Sequence, residues 1–335
     1  MLLSYIGRRL MYGLILIFLI SILVFGIIQL PPGDYATSYV AQLQSQNMEE
    51  ATRERILEGL TQRYGLDQPI HIQYYKWVKN IILHGDFGES FAYNQPVRKL
   101  IMERLPITIL ISLIPLLFQF IIAPPIAMLS ALKQNTWFDY IATFLAFIGQ
   151  SIPNFLLALV LMVFLFNTFG FSIGGLFSLE FQDAPWSIAK FFDMLKHLVV
   201  PVIVIGTAST AGVVRQLRAT MLDELGKEYM RVARAKGMPE WKIVIKYPLR
   251  IAINPILAGI GHVLPQLLSG SLMVSIVLNL PTIGPLQYNA LLNQDMYVAG
   301  SIILILSVLT IIGTLISDIL LAFADPRISY MEGRK

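Results

Sequence analysis

The chain of 335 residues contains no cysteine. Disulfide bonds, thiolate metal sites and cysteine nucleophiles are therefore excluded, although this absence does not decide the compartment. The sequence also lacks the G-x-x-x-x-G-K-[ST] pattern, whose backbone N–H groups hold the phosphates of a nucleotide. The chain itself is therefore not expected to be an ATP-driven motor.

Charged residues are scarce as well, at 14% of the chain, whereas hydrophobic residues make up 56%. A soluble domain carries about 25% charged and about 45–50% apolar residues. The excess of hydrophobic residues lies in long runs, and a run of about 18 residues is long enough to cross a bilayer as a helix. The composition therefore predicts an all-α, polytopic membrane protein.

Six runs are long and apolar enough to be transmembrane helices. They cover residues 10–30, 107–132, 138–169, 198–214, 251–280 and 296–324. The first run follows Arg8 and Arg9, but it exceeds the core of a signal peptide, which has about 7–15 residues, and we interpret it as a retained span. The third run is too long for one straight crossing, so it is expected to be tilted, kinked or extended.

The runs divide the chain into three regions. Residues 1–30 form an N-terminal tail and the first span. Residues 31–105 are polar and are predicted to form a small helical segment outside the cytoplasm. Residues 106–335 form a five-helix core, which is interrupted by a basic loop at 215–250.

Apolar residues at helical spacing indicate two helices in the polar region, at 47–65 and 70–81. Gly85-Asp86-Phe87-Gly88 follows the second helix and is typical of a turn. We expect this region to lie on the membrane as a cap rather than to fold as an independent domain.

Lysine and arginine are concentrated on one side of the six predicted spans. The short loops on the opposite side hold only Lys190 and Lys196. Cytoplasmic loops carry the excess of basic residues in membrane proteins. Both termini and the loop at 215–250 are therefore expected to be cytoplasmic.

The loop at residues 215–250, called the basic segment below, contains nine Lys or Arg and four Asp or Glu. Good helix formers run from Leu222 to Lys236. Gly237-Met238-Pro239 should end this helix, since Gly suits a left-handed C-terminal position and Pro suits the first turn of a new helix. A second short helix is predicted from Pro239 to Tyr247.

Two functions would explain the basic segment. Its charge alone favours contact with anionic lipid. Its small residues, Ala233 and Ala235, instead favour close packing of another protein, because a lipid-binding helix usually presents Trp, Phe and Leu on one face.

Residues 229–237, with the sequence YMRVARAKG, resemble the cytoplasmic signature loop of permeases in binding-protein-dependent ABC importers. The resemblance is closest to the dipeptide/oligopeptide/nickel branch. The general signature starts with Glu-Ala-Ala, and counting back from Gly237 places Arg231, Val232 and Ala233 there, so its acidic residue is absent. Weaker matching pieces occur in the expected order, at residues 32–34, 64–69, 85–88 and 325–327.

The resemblance implies a type I importer permease that is not an enzyme. Two related permease chains would form one pore, two cytoplasmic ATPase subunits would bind the ATP, and an extracytoplasmic binding protein would deliver the solute. No cofactor in this chain and no nucleic-acid partner are expected. The positions that would dock on an ATPase are Glu228, Tyr229, Arg231, Ala233, Arg234, Ala235, Lys236 and Gly237. Relatives carry short peptides, nickel complexes or oligosaccharides, and the sequence does not choose among them.

Polar residues inside the spans offer further candidates. His262 and Gln266 lie four residues apart and share one face of the fifth span, where they would line the pore or hydrogen-bond a neighbouring helix. Asp318 lies near the cytoplasmic end of the sixth span, where it would pair at the interface or relay a proton.

Two other functions are compatible with six spans. One is a self-sufficient secondary transporter or channel, although Asp318 is the sole candidate carboxylate for ion or proton coupling. The other is an intramembrane hydrolase that would use Ser269 or Ser271 with His262, although no nucleophile-elbow pattern and no orienting carboxylate accompany them.

Overall fold

The computed structural model describes residues 2–29, 67–90, 92–170, 174–257 and 272–324, together with the isolated positions 52, 55, 58, 59, 61 and 62. These residues are helical almost throughout. In this part of the chain the only strands are the two of one short antiparallel hairpin. The expectation of an all-α fold with several long apolar helices is confirmed.

The described helices are, in chain order, α1 (Leu2–Ile28), α2 (Ile70–His84), α3 (Val97–Leu132), α4 (Trp137–Ser151), α5 (Asn154–Phe169), α6 (Ile188–Leu225), α7 (Glu228–Ala235), α8 (Glu240–Val244), α9 (Arg250–Ala252), α10 (Leu272–Val277), α11 (Ile283–Leu292) and α12 (Met296–Ala324). The hairpin strands β1 (Glu89–Ser90) and β2 (Gln95–Pro96) lie between α2 and α3. A 3₁₀ turn (Leu179–Phe181) precedes α6, and a π-helical turn (Ile245–Leu249) joins α8 to α9.

The described residues cluster into two compact units. The first unit is formed by residues within Met1–Arg9, Ile107–Gly284 and Thr310–Lys335, and it includes the basic segment. The second unit is formed by residues within Leu10–Pro106 and Pro285–Leu309.

Four described helices are long and apolar enough to cross a membrane: α1, α3, α6 and α12. The pair α4 and α5 passes the same test as one bent span, which would be the fifth. The expected last span, at 296–324, coincides with α12. The expected span at 251–280 includes residues 258–271, which lie outside the described residues, so a total of six spans stays a prediction.

The bend between α4 and α5 falls in the middle of the expected third span. Ile152 follows α4 in an extended conformation, and α5 begins directly after Pro153. Proline has no backbone N–H to donate, and it disfavours a helical conformation in the residue before it. The two helices therefore meet at 100°, where the length of the apolar run predicted a tilt, a kink or an extension.

Helix α6 is longer than the expected fourth span, which covered only 198–214. Its first turn is capped by Ser187, whose hydroxyl accepts a hydrogen bond from the Lys190 backbone N–H at 3.2 Å. The buried Lys190 ammonium donates to the backbone carbonyls of Gln182 and Ala184, at 3.3 and 2.6 Å. The apolar run predicted too short a helix, because it did not include Lys190, whose charge is satisfied by these local contacts within the longer helix.

Small side chains on α3 allow α6 to pack closely in the first unit. Ala123, Ala127 and Ala131 recur every four residues on one face of α3 and are 0–3% exposed. They form one cluster with Leu217 and Met221 of α6, which are fully buried. Membrane helices commonly associate through such small residues, since these bring the backbones together.

In the second unit, α2 packs on α1 through aromatic rings. The ring centroids of the buried Trp77 and of Phe25 lie 5.6 Å apart, and those of Tyr74 and Phe25 lie 5.5 Å apart. The hydroxyls of Tyr74 and Ser21 hydrogen-bond at 2.7 Å. The helix predicted at 70–81 is present as α2.

The turn expected at 85–88 follows α2. Gly85 ends the helix in the left-handed conformation, with φ 62°, which glycine adopts readily. Gly88 has φ 98°, and a Cβ there would come within 2.5 Å of the Tyr297 ring. The other predicted helix, at 47–65, lies outside the described residues apart from isolated positions.

The hairpin β1–β2 was not expected from the sequence, which predicted only helices and the turn at 85–88 in this region. The Asp295 carboxylate, at the start of α12, accepts hydrogen bonds from the Ser90 hydroxyl and from the Ala92 N–H, the latter at 3.3 Å. Both Ser90 and Asp295 are fully buried. Strands of two residues are too short to show a periodic pattern in the sequence. The contacts of Asp295 with Ser90 and Ala92 join residues that are distant in sequence, so the sequence alone did not predict them.

Candidate coupling site

The basic segment contains one more break than the sequence predicted. Helix α6 ends at Leu225, and Lys227 is extended, with ψ 150°, before α7 begins at Glu228. The single helix expected over 222–236 is therefore wrong. Gly226 at this point weakens a continuous helix, since glycine costs about 1 kcal/mol relative to alanine in a helix interior.

The break predicted at 237–239 is present. Gly237 has φ 72°, a left-handed conformation that ends α7, and Pro239 precedes α8. The second helix is shorter than the predicted 239–247, because α8 passes into the π-helical turn that contains Pro248. The segment therefore consists of two short helices with fixed breaks on both sides of the first.

An apolar cluster holds these two helices together. Met230 and Ala233 of α7 and Ile243 of α8 are 0–4% exposed and pack against one another. Tyr229 and Tyr247 extend the cluster, with ring centroids 5.8 Å apart. The small side chain of Ala233 therefore serves packing within the segment, whereas Ala235 is exposed.

Hydrogen bonds tie α7 to the end of α6. The Glu224 carboxylate is buried and accepts from the Tyr229 hydroxyl and from the Lys227 ammonium. Burial, together with the Glu224 carboxylate, raises the pKa of Tyr229 to about 12. The tyrosine therefore stays a neutral donor throughout the physiological range, and the start of α7 is fixed relative to α6.

A surface ion pair joins α7 to α8. Arg234 donates to the two carboxylate oxygens of Glu240, from Nε at 3.2 Å and from a terminal nitrogen at 2.7 Å. The Arg234 guanidinium lowers the pKa of Glu240, and the carboxylate raises the pKa of Arg234. Both side chains are about half exposed.

The outer surface of the basic segment carries charged and apolar side chains together. Val232 is 53% exposed and Trp241 is 63% exposed. The exposed residues between and around them are Glu228, Arg231, Arg234, Ala235, Lys236 and Gly237. Of the eight expected docking positions, Tyr229 and Ala233 thus face inward, and the other six remain available for contact with a partner.

The structure does not test the residues that were expected to line the pore. His262 and Gln266 lie outside the described residues. Asn254, nearby in sequence, has a buried side-chain oxygen with no hydrogen-bond partner among the described residues. Asp318 forms an ion pair with Arg9 at 3.0 Å, which agrees with the pairing expected for it.

A buried polar cluster joins three helices of the first unit, and sequence reasoning missed it. The Asp139 carboxylate of α4 accepts from Arg218 of α6, at 2.6 and 2.7 Å, and from the Ser130 hydroxyl of α3 at 2.5 Å. The Asn135 backbone N–H adds a further bond at 3.0 Å. An ionisable residue in an apolar run should have suggested a paired site at Asp139.

Taken together, these features indicate a class of protein and do not indicate a catalytic centre. Within the described residues, no three His, Asp or Glu side chains are grouped as a metal site requires. The described chain consists instead of long apolar helices, one of which leads directly into a folded, exposed basic segment. These features define a multi-pass membrane protein with a helical segment suited to contact another subunit.

Comparison with known families identifies the kind of membrane protein. The family described as binding-protein-dependent transport system inner membrane component matches residues 123–330, and the N-terminal part of such components matches residues 2–113. The chain belongs to this family of transport-system membrane components. The expectation of a transport subunit rather than an enzyme is confirmed.

Curated relatives match over nearly their full length. The oligopeptide transport system permease protein AppB of Bacillus subtilis is 36% identical, over 98% of this chain and 99% of its own. The dipeptide transport system permease protein DppB of Alkalihalophilus pseudofirmus is 30% identical, over 98% of this chain and all of its own. The oligopeptide transport system permease protein OppB of Haemophilus influenzae shows the same identity and coverage.

Proposed function

We propose that this chain forms half of the translocation pore of an ATP-driven importer of short peptides. The names of its relatives, which are oligopeptide and dipeptide permease proteins, support this cargo over the oligosaccharides and nickel complexes that the sequence left open. Membership of a binding-protein-dependent family favours an importer over a self-sufficient secondary transporter or channel.

The proposed complex contains a second, homologous permease, two cytoplasmic ATPase subunits and an extracytoplasmic binding protein. The chain would cross the cell membrane six times, with both termini in the cytoplasm. The concentration of lysine and arginine in the terminal flanks and in the basic segment supports this orientation. The second unit would then present α2 and the hairpin outside the cytoplasm.

One observation carries the docking proposal: the basic segment is folded on itself and still presents an exposed, mixed surface. Its cluster around Met230 and its bonds to Glu224 make α7 and α8 a rigid extension of α6. A rigid extension transmits a displacement, so closure of two ATP-bound ATPase subunits would move α6 and the helices packed on it. Such a transition requires that ATP bind one state better than the other.

Cross-linking tests the docking contact directly. The chain has no cysteine, so Val232→Cys places a single thiol on the exposed surface of α7. In the assembled importer, a short bifunctional reagent should link this thiol to a thiol introduced along the ATPase groove. Gln134→Cys is the matched control, because Gln134 is exposed in the predicted cytoplasmic loop before α4. Equal cross-linking at both positions would contradict docking through α7.

Substitution of Gly237 tests whether the shape of the segment matters. No atom lies within 4 Å of a Cβ built on Gly237, so Gly237→Val would be strained only by its backbone conformation, by about 1–2 kcal/mol. We expect the variant importer to hydrolyse ATP while peptide uptake falls. Gly237→Asn is the control, because asparagine tolerates the left-handed conformation, and it should keep uptake close to that of the unmodified chain.

A further inference from the structure

A cavity of about 920 Å³ lies in the first unit among α3, α4, α5 and α6. Pockets that bind small molecules usually measure about 300–1,000 Å³. Carboxamide side chains from all four helices line it, which is unusual for segments rich in apolar residues. They are Gln119, Gln150, Asn154 and Gln216.

The most informative of these side chains is Gln119 of α3. It is only 3% exposed, and it lines the cavity. A carboxamide carries both a donor and an acceptor, so Gln119 can offer both to a ligand in the cavity.

The chemistry of the lining matches a peptide backbone. Each carboxamide offers an N–H₂ donor and a carbonyl acceptor, which are the complements of the C=O and N–H of a peptide group. The Ser209 hydroxyl donates to the backbone carbonyls of Ile205 and Gly206, at 3.2 and 3.1 Å, and adds an acceptor to the lining. Contacts of this type are independent of the side chains of the peptide, as a permease that carries many sequences requires.

The charges of the lining favour an anionic end of the ligand. Among the described residues, no Asp or Glu lines the cavity. Of the two arginines that do, Arg218 is neutralised by Asp139, whereas Arg215 makes no ion pair with a described residue and lies 5.4 Å from the centre of the Phe147 ring. A free carboxylate suits Arg215, and a cationic metal complex does not.

We infer that this cavity is a peptide-binding site on the translocation path: the carboxamides bind the backbone and Arg215 binds the terminal carboxylate. The inference rests on the proposed function and extends it by naming the part of the chain that holds the cargo. It places pore-lining side chains on α3–α6, in addition to the positions predicted on the fifth span.

The absence of cysteine provides the test. Ser209→Cys is introduced into the complete importer, whose partner subunits contain no thiol. The rate at which this cysteine reacts with a charged, water-soluble thiol reagent is measured at increasing concentrations of trialanine, in the absence of ATP and of the binding protein. Trialanine should slow the reaction. Ala208→Cys, also in the lining, is the second reporter, and Gln134→Cys, exposed in the predicted cytoplasmic loop before α4, should show no protection.

Two further comparisons distinguish recognition from an indirect effect. Gln119→Leu should raise the trialanine concentration for half-protection about tenfold, or about 1.4 kcal/mol, and equally for triserine. Trialanine with an amidated C-terminus should protect about tenfold less well in the unmodified cavity, and this difference should disappear in Arg215→Gln.

The outcomes separate this inference from the proposed function. ATP-driven trialanine uptake by an importer in which trialanine protects neither reporter would overturn the cavity site and leave the proposed function standing. Protection by maltotriose equal to that by trialanine would overturn the peptide assignment of the cavity. An assembled importer that takes up no peptide at all would remove both proposals.

Discussion

Two of the arginine–carboxylate pairs in the first unit have similar geometry and opposite surroundings. Arg218 and Asp139 join α6 to α4, where the aspartate side chain is 3% exposed. Arg234 and Glu240 join α7 to α8, where the side chains are 45% and 50% exposed. Each arginine donates two N–H groups to one carboxylate, so the contrast between the pairs lies in their solvation.

The difference in solvation assigns the two pairs different tasks. An exposed pair contributes about 0–1 kcal/mol, because water competes for both charges. In the other pair the Asp139 carboxylate has lost almost all of its water and the Arg218 side chain is 23% exposed, so removal of one partner leaves the other largely uncompensated. The pair at Asp139 therefore holds the helices of the membrane body, while the pair at Arg234 adjusts the angle of two helices that an apolar cluster already holds.

The largest expected effect follows from breaking the buried pair. Asp139→Ala should destabilise the protein by about 3–5 kcal/mol, since Arg218 and the Ser130 hydroxyl lose their common acceptor. The free energy of unfolding in detergent, measured by denaturant titration, checks this value.

The double variant Asp139→Ala with Arg218→Met is the matched control. It removes both charges, and a buried pair replaced by apolar side chains is often close to neutral. We therefore expect the double variant to recover most of the loss. A single variant as stable as the unmodified chain would show that water in the cavity solvates the unpaired Arg218 completely and that the two pairs do not differ.

The features of the first unit and of α12 differ in how well the sequence predicted them. The apolar run at 296–324 gave the bounds of α12 because hydrophobic length alone decides a span. Gly237 and Pro239 predicted their break for an equally local reason, the conformations that these residues favour. Features that depend on a few neighbouring residues were accessible before the structure was known.

Features that depend on distant contacts were not. Asp139 and Arg218 lie 79 residues apart, and nothing in the sequence selects this arginine among the basic residues. Gln119 is one polar residue in a long helix, and only the packing of four helices shows that it lines a cavity. The extra break before α7 was missed because the contact between Tyr229 and Glu224, which holds it, leaves no periodic pattern.

An intermediate effect is expected at Tyr229, whose hydroxyl links the exposed segment to the buried Glu224. Tyr229→Phe should weaken the attachment of α7 by about 1.5–3 kcal/mol, the usual range for a hydrogen bond to a charged group. Faster hydrogen exchange of the α7 amides would measure it. Tyr247→Phe is the control, since that hydroxyl has no hydrogen-bond partner among the described residues and only its ring contacts Tyr229. Equal exchange in the two variants would contradict the role of Glu224.

The pH dependence of this contact has a definite sign. The folded protein raises the pKa of Tyr229 from 10.0 to about 12. The proton is therefore held more tightly in the folded state, and the stabilisation is complete below pH 10 and disappears as the pH rises through 12. The exchange difference between the unmodified chain and Tyr229→Phe should narrow over the same interval.

The smallest effect is expected at the exposed pair. Glu240→Gln should cost at most about 1 kcal/mol, and the loss should shrink further in high salt, which screens exposed charges. Because Arg234 lowers the pKa of Glu240, the contribution is present above the ordinary value of 4.5 and fades as the pH falls below it. Arg231→Gln is the matched control, since its pair with Glu228 is still more exposed, at 74% and 81%.

A loss at Glu240 as large as that at Asp139 would mean that the surface of the basic segment is covered in the protein that was measured. This is the situation expected once a partner subunit is bound. The same measurement on the isolated chain and on the assembled importer therefore shows whether docking converts the exposed pair into a buried one.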